Sequence, residues 1–308
     1  MLMTDLTNVM YKDAAEYTWA RPHRDARIEG LLMSRLVAEA TSPADHVADV
    51  GGGNGAYASG LIAGGRHVDL FDVTPEMVQD AHIRLEVATR RVGAGRFSAT
   101  IADARKLPVG DGEYDVTIAF GPFYCLRERA ERQTMLRELA RVTKRGGSIL
   151  LQTLNRTAAI RAVMNYWPAL VRHVDWASFM ATGLMRTAPG SDAALPVFLT
   201  AHYWSTPEEV RQELKEAGLR LQFARSVDWP EPDGGQERLE SAPENVVEAW
   251  AQLVWGYGET EEHLQAGNTT IFGCSPSPAA VDSSRRKDLR HMRMRRTALS
   301  QTHLGPLP

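Results

Sequence analysis

The sequence predicts an α/β protein built on a doubly wound, mostly parallel sheet. Three observations carry that reading. Short apolar strands alternate with helical segments from residue 27 onward, a run of five residues, four of them glycine, follows the first strand directly, and after a break near residue 153 the same helix and strand rhythm resumes. Arg27 to Ala40 spaces apolar residues at helical intervals, and Ser42-Pro43-Ala44-Asp45 ends it. His46 to Val50 is a strand that runs into Gly51-Gly52-Gly53-Asn54-Gly55, where the chain bends. AYASGLIA reads as a helix stopped at Gly64-Gly65, and His67 to Phe71 is the second strand. Thr74-Pro75, an N-cap followed by proline at the first helical position, opens a helix through about Ala88. Residues 97 to 103 and 114 to 121 are strands, Arg129 to Thr143 is an amphipathic helix, and Lys144-Arg145-Gly146-Gly147 turns into the strand SILLQT. After Thr153 the rhythm breaks for some fifty residues carrying Trp167, Trp176 and Trp204, which reads as an inserted lid. A capped helix from Thr206-Pro207-Glu208-Glu209 to Ala217, a strand from Leu219 to Ala224, a helix near Asn245 to Trp255 and a last strand from Thr269 to Cys274 complete the sheet.

Composition narrows the function classes. The chain has 308 residues, 44% of them apolar and 24% charged, the usage of a folded protein long enough for one large domain with an insertion or for two ordinary ones. No stretch approaches the roughly 20 apolar residues of a bilayer span, and the start lacks a basic end followed by an apolar run. Cys125 and Cys274 lie far apart and in no metal-ligand spacing, so neither a disulfide framework nor a metal site is indicated, and a cytoplasmic location is expected. Net charge is −3, yet seven basic residues between Arg285 and Arg296 face only Asp282 and Asp288, leaving 28 basic against 36 acidic residues before position 279. A body that acidic repels phosphate backbones, so nucleic acid is not the expected substrate. The segment after Ser275-Pro276-Ser277-Pro278 reads as a flexible basic tail.

An open parallel sheet binds ligands at the carboxyl ends of its strands, near the point where strand order reverses. Gly51, Gly53 and Gly55 let backbone pass close to a ligand there, and N–H groups at the following helix start can hold an anion. Asp72 lies 21 residues after Gly51 at the end of the second strand, where a carboxylate accepts both hydroxyls of a ribose. Asp103 closes the third strand, where it can accept from an exocyclic adenine amine while the N–H of Ala104 meets a ring nitrogen.

These residues resemble the class I methyltransferases that use S-adenosylmethionine. Asp49-Val50-Gly51-Gly52-Gly53-Asn54-Gly55 is similar to their first motif, Asp72 to their ribose-binding acid, and Ile101-Ala102-Asp103-Ala104-Arg105-Lys106-Leu107-Pro108 to their adenine-contacting motif. Tyr114-Asp115-Val116 and Lys144-Arg145-Gly146-Gly147 resemble the later strand motifs. The resemblance covers about residues 27 to 155 well and the C-terminal part more loosely. It implies a seven-stranded sheet with its last strand antiparallel, S-adenosylmethionine as cofactor, its methionine end at Gly51 and Gly53, and Ala119 and Gly121 bordering the methyl group. The organisation expected is an N-terminal helical cap (1–45), a Rossmann-like cofactor-binding core (46–153), the inserted substrate lid (154–205), the C-terminal part of the core sheet (206–276) and the tail (277–308).

Methyl transfer is an in-line displacement, so the protein has to align a nucleophile and exclude water. Acceptor-side groups are expected after the fourth strand, in the N-terminal helices and in the lid. Tyr124-Cys125-Leu126 stands where similar small-molecule enzymes often show Tyr-His-Leu, which removes an obvious imidazole base. Tyr124 can orient or deprotonate the acceptor; His173, His202 and Asp175 are candidate bases, with His173 carried forward beside Tyr124. Phe123, Trp167, Trp176 and Tyr17 are the candidate substrate-binding rings, suited to enclosing a flat, electron-rich acceptor. The function expected is C- or N-methylation of a small aromatic metabolite of the indole kind, in secondary metabolism, by a monomer or homodimer. O-methylation of a phenol is the alternative. A nicotinamide oxidoreductase is further back, because Tyr124 has Glu128 where a lysine belongs, and so is a non-catalytic cofactor binder.

Overall fold

The computed structural model describes residues 26–93, 95–228 and 242–277. Tyr17, the first part of the expected N-terminal cap and the basic tail lie outside the described residues. The chain runs α1 (Ala26–Ala40), β1 (His46–Val50), α2 (Ala56–Ala63), β2 (His67–Asp72), α3 (Pro75–Val92), β3 (Arg96–Ile101), β4 (Tyr114–Ala119), α4 (Pro122–Cys125), α5 (Arg129–Val142) and β5 (Thr143–Leu154). There follow α6 (Arg156–Tyr166), a 3-10 turn (Pro168–Arg172), α7 (Trp176–Thr182) and α8 (Val197–Ala201), then α9 (Pro207–Glu216), β6 (Leu219–Ser226), α10 (Glu244–Tyr257), α11 (Glu261–Ala266) and β7 (Thr269–Pro276).

The strands form one seven-stranded sheet of order β3-β2-β1-β4-β5-β7-β6. The pairs among β1 to β5 are parallel, and β7 is antiparallel to both β5 and β6. Order reverses at β1, which lies between β2 and β4, and that places the switch point beside the glycine run. The inner strands β1, β4 and β7 are buried along almost their whole length because helices cover both faces. One buried cluster includes Phe123, Met135, Leu139, Ile149 and Phe272; the other includes Leu32, Leu36, Val68, Leu85, Ile118 and Val254.

Three local outcomes differ from the expectation. β5 begins at Thr143, so Lys144 to Gly147 extend the strand rather than turn into it, with Lys144 paired to Asp115 at 2.8 Å. β3 stops at Ile101, leaving Asp103 in the following turn, bridged to Lys106. Thr74 caps α3 without a side-chain bond; its N–H is instead taken by the Asp72 carboxylate at 2.9 Å. Thr206 does form the reciprocal capping box with Glu209 that its sequence suggests.

Residues 156 to 204 carry a cluster of their own, built on Ala159, Val163, Phe179, Leu199 and Trp204. Both ends of this segment meet at a parallel bridge between Asn155 and Ser205, where the Arg156 N–H donates to Ser205 at 2.8 Å and the Ser205 N–H to Leu154 at 2.9 Å. The Asn155 amide below the bridge donates to the carbonyls of Leu264 and Gly267, which holds the exit from β5 against α11.

Candidate functional site

Leaving β1, the backbone has to reverse within a few residues to begin α2. Gly51 and Gly53 do this in the left-handed region, at φ 69 and φ 53. They face different surroundings. A Cβ on Gly51 would stand 2.6 Å from Pro122 Cδ, so the glycine turn touches the start of α4, beyond β4. A Cβ on Gly53 would meet nothing within 4 Å, so this peptide borders open space.

Asp72 organises the turn. Its Oδ2 accepts from the Gly53 N–H at 2.9 Å and its Oδ1 from the Thr74 N–H at 2.9 Å. A carboxylate has about four acceptor positions, so each oxygen retains one for a ligand hydroxyl. Burial pushes the Asp72 carboxyl above its ordinary value despite those bonds. Asp49 lies beneath the turn, fully buried, and its Oδ2 is sealed without a partner among the described residues. Burial first and the neighbouring Asp72 second push its carboxyl up to about 7, against the Ala58 N–H that pulls the other way. Two adjacent acids, one with an unpaired oxygen, make a site that favours a cation.

The turn after β3 is held alongside: the Ala102 N–H donates to the Asp72 carbonyl at 2.9 Å, and Ala104 packs against the core. Asp103 does not stand idle for a nucleobase. Both its oxygens take the Arg105 guanidinium, and Arg105 pairs in turn with Glu131. Burial would raise the Asp103 carboxyl, but the Arg105 bonds outweigh it and hold it low. Ala119 is buried at the end of β4, and Gly121 caps α4.

On the far side of that turn the expected acceptor residues divide. Tyr124 is partly exposed, its carbonyl takes the Tyr203 N–H at 2.8 Å, and its ring meets the edge of His202 at 5.3 Å. His202 is buried and lies also against Phe198 and Trp204, with centroids at 5.1 and 6.2 Å. Its Nδ1 is 2.7 Å from the Phe198 carbonyl. Burial holds its imidazole below the ordinary value, although that carbonyl pulls it upward. His173, by contrast, bonds the Ser191 hydroxyl through Nδ1 at 2.8 Å and braces the Ala188 bend through its carbonyl. Of the two histidines, it is His202 and not His173 whose ring is placed against Tyr124. Phe123 is completely buried, edge-on to Tyr203 at 6.2 Å, and is a packing residue rather than a substrate wall. Trp167 and Trp176 pack against the inserted segment's own cluster, Trp176 donating to the Val171 carbonyl at 2.8 Å. The ring brought to Tyr124 is His202 instead, itself set against Phe198 and the buried Trp204.

A buried network that the sequence reading does not single out fixes this side. Arg132 pairs with Glu213 at 2.8 Å, donates to the Leu126 and Arg127 carbonyls at 3.0 and 2.8 Å, and stands 3.5 Å above the Tyr203 ring. The Tyr203 hydroxyl donates to Glu209, which pairs with Arg156 at 2.7 Å. At the opposite ends of β1 and β2, His46, His67 and Asp69 have possible ligand atoms within 4.8 Å of one another. The two rings stack at 4.1 Å and 11°, so their in-plane lone pairs run side by side rather than converge on one ion.

A glycine turn at the switch point and an acid at the end of β2 define a nucleoside-binding α/β class. Residues 47–147 match the family described as methyltransferase domain. The chain is 31% identical over 224 residues to a demethylmenaquinone methyltransferase of Parafrankia sp. (strain EAN1pec), covering 65% of this chain and 81% of that one. It is 30% identical to an uncharacterised protein of Mycobacterium tuberculosis, covering 61% and 69%. Among solved structures, magnesium protoporphyrin IX methyltransferase from Synechocystis PCC 6803 with bound SAH superposes at TM-score 0.54, with 15% identity and 90% and 100% coverage. The CcbJ methyltransferase from Streptomyces caelestis superposes at 0.53, with 16% identity and 84% and 98% coverage. The chain belongs to the class I S-adenosylmethionine-dependent methyltransferases, and its cofactor is S-adenosylmethionine. The residues present fit that group: Gly53 borders open space, Asp72 retains acceptor capacity, and the unpaired oxygen of Asp49 lacks the positive partner that a sulfonium or ammonium group provides. No helix of the described residues is long and apolar enough to cross a membrane.

Proposed function

We propose that this enzyme methylates a small aromatic acceptor, with a ring carbon of a hydroxylated bicyclic ring as the receiving atom. The observation that carries the reading is the partly exposed Tyr124 and the half-exposed Phe198 on either side of the His202 ring, backed by the buried Trp204 and tied to the turn after β4 by the Tyr203 N–H. Relatives named demethylmenaquinone methyltransferase and ubiquinone/menaquinone biosynthesis C-methyltransferase support carbon as the target. On this reading Asp72 takes the ribose hydroxyls, the Asp103 and Ala104 turn receives the adenine, Gly51, Gly53 and Gly55 shape the turn under the methionine end, and Asp49 faces its positive charge. Ala119 and Gly121 border the methyl group. Residues 154–205 form the lid, and they supply the acceptor-side rings through Phe198 to Trp204 rather than through Trp167 and Trp176. Bound there, S-adenosylmethionine supplies a methyl group on a sulfonium.

The experiment is a product-mass screen of 1,4-dihydroxynaphthalene, kept reduced, with indole, phenol and aniline as the other arms. The naphthalene diol is expected to gain one methyl on carbon. Phe198→Ala removes a half-exposed ring and is expected to lower kcat/KM about tenfold, the loss of one aromatic contact, while affinity for the demethylated cofactor holds. Transfer to tRNA or protein alone, with every small acceptor inert, would overturn the assignment.

A further inference from the structure

The two imidazoles of the inserted segment differ in what their ring nitrogens can do. In His202 the partner of Nδ1 is the Phe198 carbonyl, which only accepts, so Nδ1 carries the hydrogen and the neutral ring presents a lone pair at Nε2. Nε2 has no hydrogen bond among the described residues, and it is not one of the fully sealed polar atoms without a partner. The ring is held on three sides by Tyr124, Phe198 and Trp204. Tyr124 is the titratable group among these neighbours, and none of them is charged. The neighbour Tyr203 ties the same stretch of backbone to Tyr124, which places this lone pair beside the turn that follows β4.

We propose that His202 is the catalytic base of this enzyme, taking the hydroxyl proton of a phenolic acceptor on Nε2. This rests on the aromatic-acceptor reading above and names the residue that makes such an acceptor nucleophilic. In the step the acceptor O–H bond breaks, its electron pair stays on oxygen and spreads to the ring carbon, and a new N–H bond forms at Nε2. The Phe198 carbonyl fixes the tautomer beforehand and offsets part of the cost that burial puts on the imidazolium afterwards. Burial keeps the ring neutral near pH 7, ready to accept.

Two variants separate chemistry from packing. His202→Phe keeps an aromatic ring, and His202→Gln keeps a donor for the Phe198 carbonyl. With 1,4-dihydroxynaphthalene both are expected to lose about 10²- to 10⁴-fold in kcat, with KM and affinity for the demethylated cofactor within about threefold of wild type. With a nitro-substituted naphthol, already ionised at the assay pH, the deficit is expected to shrink to less than about tenfold, because no proton remains to be removed. A structural defect would not depend on acceptor acidity. Independently of turnover, ¹⁵N-histidine spectra of the ligand-free protein should show His202 neutral with hydrogen on Nδ1 at pH 6.5. Hydrogen on Nε2, a deficit equal for both naphthols, or variants as fast as wild type would overturn the proposal alone. A wild type that binds cofactor but methylates neither naphthol would overturn the acceptor reading and this proposal with it.

Discussion

Asp49→Asn tests whether the buried acid beneath the glycine turn is kept at a cost to the fold. Asp49 ionises at about 7 in the folded protein against an ordinary 3.8, and at ~1.4 kcal/mol per tenfold change the ceiling on that cost is about 4 kcal/mol. The amide keeps the shape and one oxygen for the Ala58 N–H, but leaves its NH2 where the unpaired Oδ2 now lies, which returns about 1 to 3 kcal/mol of the gain. The net expectation at pH 8 is a variant more stable than wild type by about 1 to 3 kcal/mol. The sign follows from a folded value above the unfolded one: this contribution is fully present below 3.8, declines as pH rises toward about 7 and is lost above it. Asp228, raised to about 6 by burial, runs the same way, while Asp69, Asp115 and Glu138, held low by their hydrogen bonds, run the other. Only the difference between wild type and variant isolates Asp49. Urea denaturation of both proteins between pH 4 and pH 8 should show the advantage of the variant shrinking toward the acid end. Titration calorimetry should show wild-type affinity for S-adenosylmethionine rising through about pH 7, and the variant binding at least about tenfold less tightly. A variant less stable than wild type at pH 8, or a difference that does not change with pH, would refute the reasoning.

The two glycines should separate fold from ligand. Gly51→Ala brings a methyl group against the Pro122 ring at a left-handed position and is expected to cost roughly 2 kcal/mol or more by urea denaturation; Gly53→Ala should cost only about 1 kcal/mol yet abolish measurable cofactor binding by calorimetry. Arg132→Met strands Glu213 in the core and should cost roughly 3 to 5 kcal/mol, of which Glu213→Leu in the same chain restores more than half. A double variant no better than the single one would mean that the Leu126 and Arg127 carbonyls, not the charge, depend on Arg132.

The glycine turn and the placement of Asp72 were legible because their signals are local. Gly51 to Gly55 and Asp72 sit at strand ends whose order follows from the alternation itself, and the backbone bonds between them span fewer than two dozen residues. The surroundings of Tyr124 were not, because the contacts there join residues far apart in the chain: Tyr124 with His202, Arg132 with Glu213, Arg156 with Glu209. Spacing offers no means of choosing His202 over His173, since both are polar residues in an apolar stretch and only the fold decides which ring meets Tyr124. Asp103 was legible only in part, for a related reason. Its neighbour Arg105 forks back onto it, a two-residue contact that a motif describes as sequence but not as occupied valence. The early start of β5 reflects pairing of Tyr114 with Thr143 ahead of an irregular register, which no local propensity at Lys144 to Gly147 announces.

The bridge between Asn155 and Ser205 gives the intervening chain an unusual status. Leaving and rejoining the sheet at one point, with a hydrophobic cluster of its own, it is a detour whose removal would not pull any strand out of register. Such a detour can be treated as a cassette. A short turn in its place would keep the strand pairing but would strip Leu184 and Tyr203 from the main core cluster and leave Arg132 without the Tyr203 ring, so the matching piece of a relative, grafted onto the same two residues, has to bring those contacts with it. His202 travels with such a segment, so an exchange at these two residues would replace the proposed base together with the rings around it.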